Sequence, residues 1–349
     1  MRNKLKLYNN PNGFGSRKTI LIVLTAPCLE WITRLNIPQG LNVSVLLNRN
    51  DCNNPIDFKR RIDRLLRHPN VIGAVIVRMG CESFQISNDY LIELNDYTIS
   101  SVDLQKIFDE LIEIAKNIHN KINTQRIGVS FSKVNISIKC GGSTKDSQET
   151  ANSFAGTLID NLIEKGINVI FNEPQETIGL EDLYKERVSE GDYNKWKSFI
   201  NKLPKNYDES FMNQGNLREG IKNILQKSLG SIKKVGYANF GVYNISEYPI
   251  NTPGLNQILG TNQEPESMYQ MMEYGSILNL YITGHGGLFG TPISPLFSIG
   301  KSKFNRSKAL DVEVPENINM LRSNEVIDKI IRVLEGELTI TEKLNISLT

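Results

Sequence analysis

Short branched apolar runs alternate along the chain with amphipathic stretches of helical period, the pattern of a parallel sheet crossed by helices. Thr19–Thr25 (TILIVLT) is apolar at every turn of the pleat but its ends, and predicts a strand buried on both faces. Val43–Leu47 predicts a second strand, Val71–Met79 (VIGAVIVRM) a third, and Tyr90–Leu94 a fourth. Between them, Pro55–Leu66 sets Ile56, Ile62, Leu65 and Leu66 among Asp, Lys and Arg, with proline at the start, as an amphipathic helix does. A longer helix is expected over residues 102–122, capped by Ser100 or Ser101.

The pattern then begins again. Val134–Lys139 predicts a strand, Cys140-Gly141-Gly142-Ser143 a loop, and Thr150–Lys165 a helix. Asn168–Asn172 reads as a strand after a left-handed stop at Gly166. Leu180–Arg187, Tyr193–Asn201 and Ile221–Leu229 read as helices, and 204–220 as a polar, irregular segment. Ile277–Thr283 predicts a strand opening into Gly284-His285-Gly286-Gly287, and Asn324–Glu335 a closing helix. The fold class expected is α/β, with two Rossmann-like doubly wound domains of mainly parallel sheets. Residues 1–17 hold Lys4, Lys6 and Arg17 with Asn and Pro between them instead of an apolar stretch, and read as a flexible tail. Residues 18–127 are then a first α/β domain and 128–349 a C-terminal one, divided in the polar connection near 121–133.

Charge and composition narrow the function. The 349 residues carry 40 Lys and Arg against 38 Asp and Glu, a net +2 that gives neither nucleic acid nor a membrane surface a reason to bind. No apolar run approaches the ~20 residues of a membrane helix. The chain is expected to be cytoplasmic, and its four cysteines to be reduced thiols or ligands instead of a disulfide framework.

Those cysteines share a placement. Cys28, Cys52, Cys81 and Cys140 each fall at or just beyond the carboxyl end of a predicted strand, where open α/β sheets bind ligands. Thiolates suit iron, zinc or an iron–sulfur cluster, which makes all four candidate metal ligands. None forms a CxxC pair, and small polarizable residues also pack in tight turns. The glycines of Cys140–Ser143 would let a backbone approach a ligand, and free N–H groups near the following helix suit an anion such as a carboxylate; a plain turn is the alternative. His285 is a candidate general acid or base near neutral pH, or a structural histidine. His68, ahead of Pro69 at a helix end, reads as a solvated cation. Gln214-Gly215-Asn216 reads as a binding loop or a turn.

Several stretches occur together in order: His68–Val71 through Val77–Glu82; Lys139–Ser143 with Thr150-Ala151-Asn152; Glu173-Pro174 with Ile178-Gly179; Gly215-Asn216 with Lys227–Gly230; Pro265-Glu266-Ser267; Thr283-Gly284; Pro292-Ile293 with Pro295; and Gly336–Thr339. This set resembles the altronate/galactarate dehydratase family, as its large C-terminal region without the small N-terminal domain. The resemblance implies a hydro-lyase that removes water from a sugar acid or related hydroxy-carboxylate and gives a 2-keto-3-deoxy acid. It implies a divalent metal, commonly iron, with an iron–sulfur cluster as the alternative. On this reading His285 and Lys227 are catalytic. Gly141, Gly142, Ser143, Thr150, Asn152, Asn216, Thr283 and Gly284 hold the substrate, and Cys28, Cys52, Cys81 and Cys140 hold the metal. A separate small-domain partner subunit and a homo- or hetero-oligomer are expected with it.

The departures are Thr144 and Gln226 where the family pattern has acids, Tyr97–Ser101 in place of Gly-Gly-Thr, His285 in place of arginine, Leu259–Asn262 in place of Asp-Thr-Pro-Gly, and Cys52 without flanking glycines. They motivate a second reading, a catalytically degenerate metal- or ligand-binding subunit.

Overall fold

The computed structural model describes residues 4–49, 56–86, 90–94, 101–122, 124–204, 212, 214–284, 289–301, 310–315 and 321–346. The chain divides into two compact units, one built around residues 6–127 and one around 128–347. Each carries a parallel sheet flanked by helices, the α/β class expected.

The first unit starts with structure where a tail was expected. Strands β1 (Lys4–Asn10) and β2 (Gly13–Gly15) pair antiparallel, Tyr8 opposite Gly15. Leu5 and Leu7 are buried between exposed Lys4 and Lys6, a period-two strand too short to stand out from its polar neighbours. Next come β3 (Thr19–Leu24), β4 (Val43–Leu47), β5 (Val71–Arg78) and β6 (Leu91–Glu93). They form a parallel sheet in the order β4-β3-β5-β6. All six residues of β3 are buried, as its unbroken apolar run requires. The helix Ser101–Lys121 lays Ile107, Leu111, Ala115 and Ile118 into the same core as Ile20, Ile22 and Leu24, at helical spacing. His68 is not a solvated cation. It is buried, and its Nδ1 accepts a hydrogen bond from the Asn70 N–H at 3.0 Å, so the chain turning into Pro69 folds the ring over its own backbone.

After β7 (Arg126–Ser130), the second unit is built on β8 (Asn135–Gly141), β9 (Asn168–Phe171), β10 (Phe240–Asn244), β11 (Leu255–Leu259), β12 (Ser276–Thr283), β13 (Leu296–Gly300) and β14 (Val312–Glu313). These seven make one sheet in the order β10-β11-β9-β8-β12-β13-β14, every pairing parallel. From β8 the chain runs to β9, β10 and β11 on one side, then crosses to β12 on the other. β8 is therefore the point where the winding reverses, and the crevice beyond its carboxyl end is where such sheets take ligands. All eight residues of β12 are buried, and its one amide, Asn279, accepts a hydrogen bond from the Ser137 hydroxyl on β8.

Candidate active site

The loop that leaves β8 is shaped by its first two glycines for different reasons. A Cβ on Gly141 would lie 2.0 Å from the Tyr281 hydroxyl oxygen and 2.6 Å from Glu264 Oε1, so only glycine lets those groups come this close to the strand end. Gly142 has φ +60°, the left-handed region that glycine adopts without steric cost. Thr144 then caps the helix Lys145–Glu149: its side chain accepts from Ser147 N–H, and the Ser147 hydroxyl accepts from Thr144 N–H, each at 2.9 Å.

Beyond the strand ends lies a cavity of about 200 Å³. That is smaller than the ~300–1,000 Å³ pockets that take drug-sized molecules, and suits a small polar ligand. Residues 139–143 at the carboxyl end of β8, Glu173 and Glu176 after β9, Asn262 and Glu264 after β11, and Gly215, Asn216 and Lys227 from two helices line it. The helix Ile224–Ile232 is inverted relative to an ordinary surface helix. Lys227 and Ser231 are buried on one face, with Lys234 in the next turn, at spacings of four and three. Leu225 and Leu229 are about half exposed on the other face. A helix that hides its polar stripe does so because something charged awaits it.

What awaits it is a buried set of carboxylates and a thiol. Lys234 Nζ lies 2.6 Å from Ser231 Oγ, 2.9 Å from Glu173 Oε2, 3.3 Å from Cys140 Sγ and 3.9 Å from Glu176 Oε2. Lys139 Nζ is bonded to Glu173 Oε1, to the Asn262 carbonyl at 3.0 Å, and pairs with Glu264 at 3.5 Å. Lys227 Nζ lies 3.2 Å from Asn216 Oδ1 and 3.6 Å from Glu176 Oε1. Asn216 in turn donates to the Ser143 carbonyl at 3.4 Å. Each buried charge thus has a partner of opposite sign, the condition for ions to persist away from water. Glu173 sits in the left-handed region at φ 73°, a strained conformation for a residue with a Cβ and one that clusters at functional sites. The Asn172 side chain accepts its N–H at 2.8 Å.

The same contacts set the ionisation. Burial alone would push Lys234 down, but Cys140, Glu173 and Glu176 outweigh it and raise it. Burial likewise opposes the charge on Lys139, and Glu173, Glu264 and Glu176 overcome it. Burial raises Glu176, but Lys234, Lys227 and Lys139 hold it below the ordinary carboxylate range. Burial pushes the Cys140 thiol up to about 11 against the pull of Lys234. Glu264 is raised: burial outweighs Lys139, and Glu173 adds to it.

Cys140, Glu173 and Glu176 offer donor atoms all within 4.8 Å of one another, close enough that a slight inward movement would let one metal ion reach all three at bond lengths of about 2.0–2.3 Å. The donor set fits an ion arriving through the cavity. All three residues line it, whereas Lys234, whose ammonium lies 2.9 Å from Glu173 Oε2, does not.

Of the residues singled out from the sequence, Gly141, Gly142, Ser143, Cys140, Asn216 and Lys227 come together at this cavity. Thr150 and Asn152 do not line it: the Thr150 hydroxyl donates to the Asp146 carbonyl at 2.8 Å, and the Asn152 amide to the Gly230 carbonyl at 2.9 Å. Thr283 ends β12 in register with Gly141 but is not in the lining, nor is Gly284. Cys28 and Cys81 are exposed in the first unit. Cys52 and His285 lie outside the described residues. Sequence reasoning missed Lys139, Glu173, Glu176, Ser231, Lys234, Asn262 and Glu264 as site residues. Two signals could have found some of them: a lysine ending an otherwise buried strand, and the inverted polarity of 224–234. The replaced acids also look different in place. Thr144 is a helix cap, and the Gln226 side chain accepts from the Lys222 N–H at 2.8 Å outside the cavity. The carboxylates that face the cavity are at other positions.

Residues 131–348 match the family described as D-galactarate/altronate dehydratase, C-terminal. The chain is 26% identical over 316 residues to the altronate dehydratase of Bacillus subtilis (strain 168), covering 82% of this chain and 63% of that protein. It is 23% identical over 376 residues to the altronate dehydratase of Escherichia coli (strain K12), covering 97% and 76%. It is 27% identical over 239 residues to the (2R)-sulfolactate sulfo-lyase subunit beta of Chromohalobacter salexigens, covering 63% and 61%. The match thus spans less than two thirds of the Bacillus and Chromohalobacter proteins. Among the described residues no helix is long and apolar enough to cross a membrane.

Proposed function

The chain belongs to the D-galactarate/altronate dehydratase family, and from that premise we propose that it is a lyase that removes water from a small polyhydroxy acid to give a 2-keto-3-deoxy acid. The observation that carries the reading is the cavity at the reversal point of the larger sheet, lined by two lysines, three carboxylates and a thiol, with Lys234 paired to two of these carboxylates. In this reading the substrate carboxylate lies against the Gly141–Ser143 loop and Asn216, which line the cavity. Lys227 and His285 are the candidates for moving the proton α to that carboxylate. A divalent cation, iron in this reading, held by Cys140, Glu173 and Glu176 would supply positive charge to the carboxylate and its enolate form. Lys139 pairs with Glu173, and Lys234 with Glu173 and Glu176, so that both carboxylates are fixed in place by buried lysines. Cys28, Cys52 and Cys81 remain candidate ligands for a soft metal or an iron–sulfur cluster. The relative named as a subunit beta supports a multi-subunit assembly, and a small partner chain is part of the proposal.

The test is 2-keto-3-deoxy acid formation across a panel of sugar acids, using protein purified without oxygen and assayed with and without added iron. Turnover that Lys227→Met and Asn216→Ala abolish is the expected result. No turnover on any acid, with a small-domain partner supplied, would sink the proposal and leave a binding subunit.

A further inference from the structure

Three carboxylates face the cavity, and they are not equivalent. The Glu173 side chain is 1% exposed and that of Glu176 9%, each pinned by lysines. Glu264 is 33% exposed, so it is the one a ligand in the cavity can touch. Its position is nonetheless defined. It follows β11 and precedes the helix Glu266–Glu273, and Tyr281 on β12 donates its hydroxyl to Glu264 Oε2 at 3.4 Å. The Tyr281 ring is anchored behind that hydroxyl in a core of Ile170, Ile258, Met268 and Leu296, with Phe289 edge-on at 4.7 Å. Gly141 leaves the space in which the hydroxyl and the carboxylate meet. A bland reading makes Glu264 the counter-ion of Lys139. Lys139 is already bonded more closely to Glu173, and Glu264 stands off at 3.5 Å with its other oxygen toward Tyr281.

We infer that Glu264 is the acid that protonates the departing β-hydroxyl, with Tyr281 as its positioning residue. The inference rests on the dehydration reading above. In the step, a base takes the α-proton and the C–H electron pair becomes the carbon–carbon π bond. The β-carbon–oxygen bond breaks, and its electron pair leaves with oxygen. Glu264 delivers the proton that turns this oxygen into water, then recovers a proton from solvent. The enol becomes the 2-keto acid by proton transfer, and no oxidant or reductant is needed. Burial favours the protonated carboxyl at Glu264 while lysines hold Glu176 ionised, the separation of roles expected of two acids in one site.

The test compares the hydroxy acid with an analogue carrying fluoride at the β-carbon, a leaving group that needs no proton. Glu264→Gln should lower kcat on the hydroxy acid by about 10²–10⁴-fold and on the fluoride analogue far less. The alkaline fall of the wild-type pH profile should disappear in Glu264→Gln. In Tyr281→Phe it should move to higher pH, since the hydroxyl's hydrogen bond favours the carboxylate form. If Glu264→Gln does not fold, Glu264→Asp and Tyr281→Phe carry the same comparison. Equal losses on both substrates, or an unmoved alkaline limb in Tyr281→Phe, would overturn the assignment. A wild-type protein that eliminates neither water nor fluoride would instead bring down the dehydration reading, and this role with it.

Discussion

The two parallel sheets place their loops by the same rule and fill them in opposite ways. In the first unit the winding reverses at β3, and the group beyond it is Glu82. Its Oε1 accepts from the Thr25 hydroxyl and from Met79 N–H at 2.9 Å, and its Oε2 from Gly80 N–H at 2.9 Å, with Arg78 at 3.8 Å. Apart from the Thr25 hydroxyl at the end of β3, the contacts of that carboxylate are with its own turn. In the second unit the carboxylates contact side chains from other elements: Glu173 and Glu176 reach lysines on β8 and on the helical segment 224–235. Glu82 closes a turn, whereas Glu173, Glu176 and Glu264 surround a space. Topology selects where a site can be, and the partners of the acids decide whether one is there.

The largest effect expected from breaking this contrast is in the buried centre. Lys234→Met removes the cation shared by Cys140, Glu173 and Glu176 and leaves buried charge uncompensated, which should cost about 3–5 kcal/mol in urea unfolding. Glu82→Gln should cost less, about 1.5–3 kcal/mol, the worth of hydrogen bonds to a charged group. A loss at Glu82 as large as that at Lys234 would erase the distinction drawn here. The smallest effect is a difference of sign with pH. Thr25, Met79 N–H and Gly80 N–H outweigh burial and hold Glu82 below the ordinary 4.5. Its contribution is therefore present above that value and lost as pH falls through the folded one. Glu264 is raised, so its contribution is present below 4.5 and is lost as pH rises through the folded value. Urea midpoints from acid to neutral pH should show Glu82→Gln losing stability at neutral pH and Glu264→Gln gaining it. Two variants moving the same way would contradict the opposed environments.

The fold class was legible wherever a strand was a largely apolar run: β3, β4, β5 and β9 lie within runs read from the sequence, and β8 and β12 overrun theirs by two residues and by one. β10 (FGVYN), β11 (LNQIL) and β13 (LFSIG) were not, because short strands carrying Asn, Gln and Ser do not separate from loops by hydrophobicity. Asn256 and Gln257 are buried in β11: Asn256 bonds back to the Thr252 carbonyl, and Gln257 accepts from the Tyr184 hydroxyl, a neighbour that only the tertiary structure brings. The site was half legible for the same reason. Glycines and a cysteine at a strand end announce a loop, and Cys140–Ser143 was found that way. Glu173, Glu176 and Glu264 look like any other glutamates in a chain with 38 acids, and become distinctive only through lysines far away in sequence.

The central pairing of the larger sheet has a consequence for how the site comes into being. β8 and β12 are adjacent, and Ser137 and Asn279, which join them, are 142 residues apart. Closing so long a loop makes that contact slow to form, and parallel pairings of this kind gather late in folding. On the ribosome, β8 meets β9 early but must wait for the chain 142 residues beyond Ser137 before β12 is made on its other side. The candidate site is thus among the last parts of the molecule to be completed, and a ligand that recognises only the finished site would stabilise the folded state.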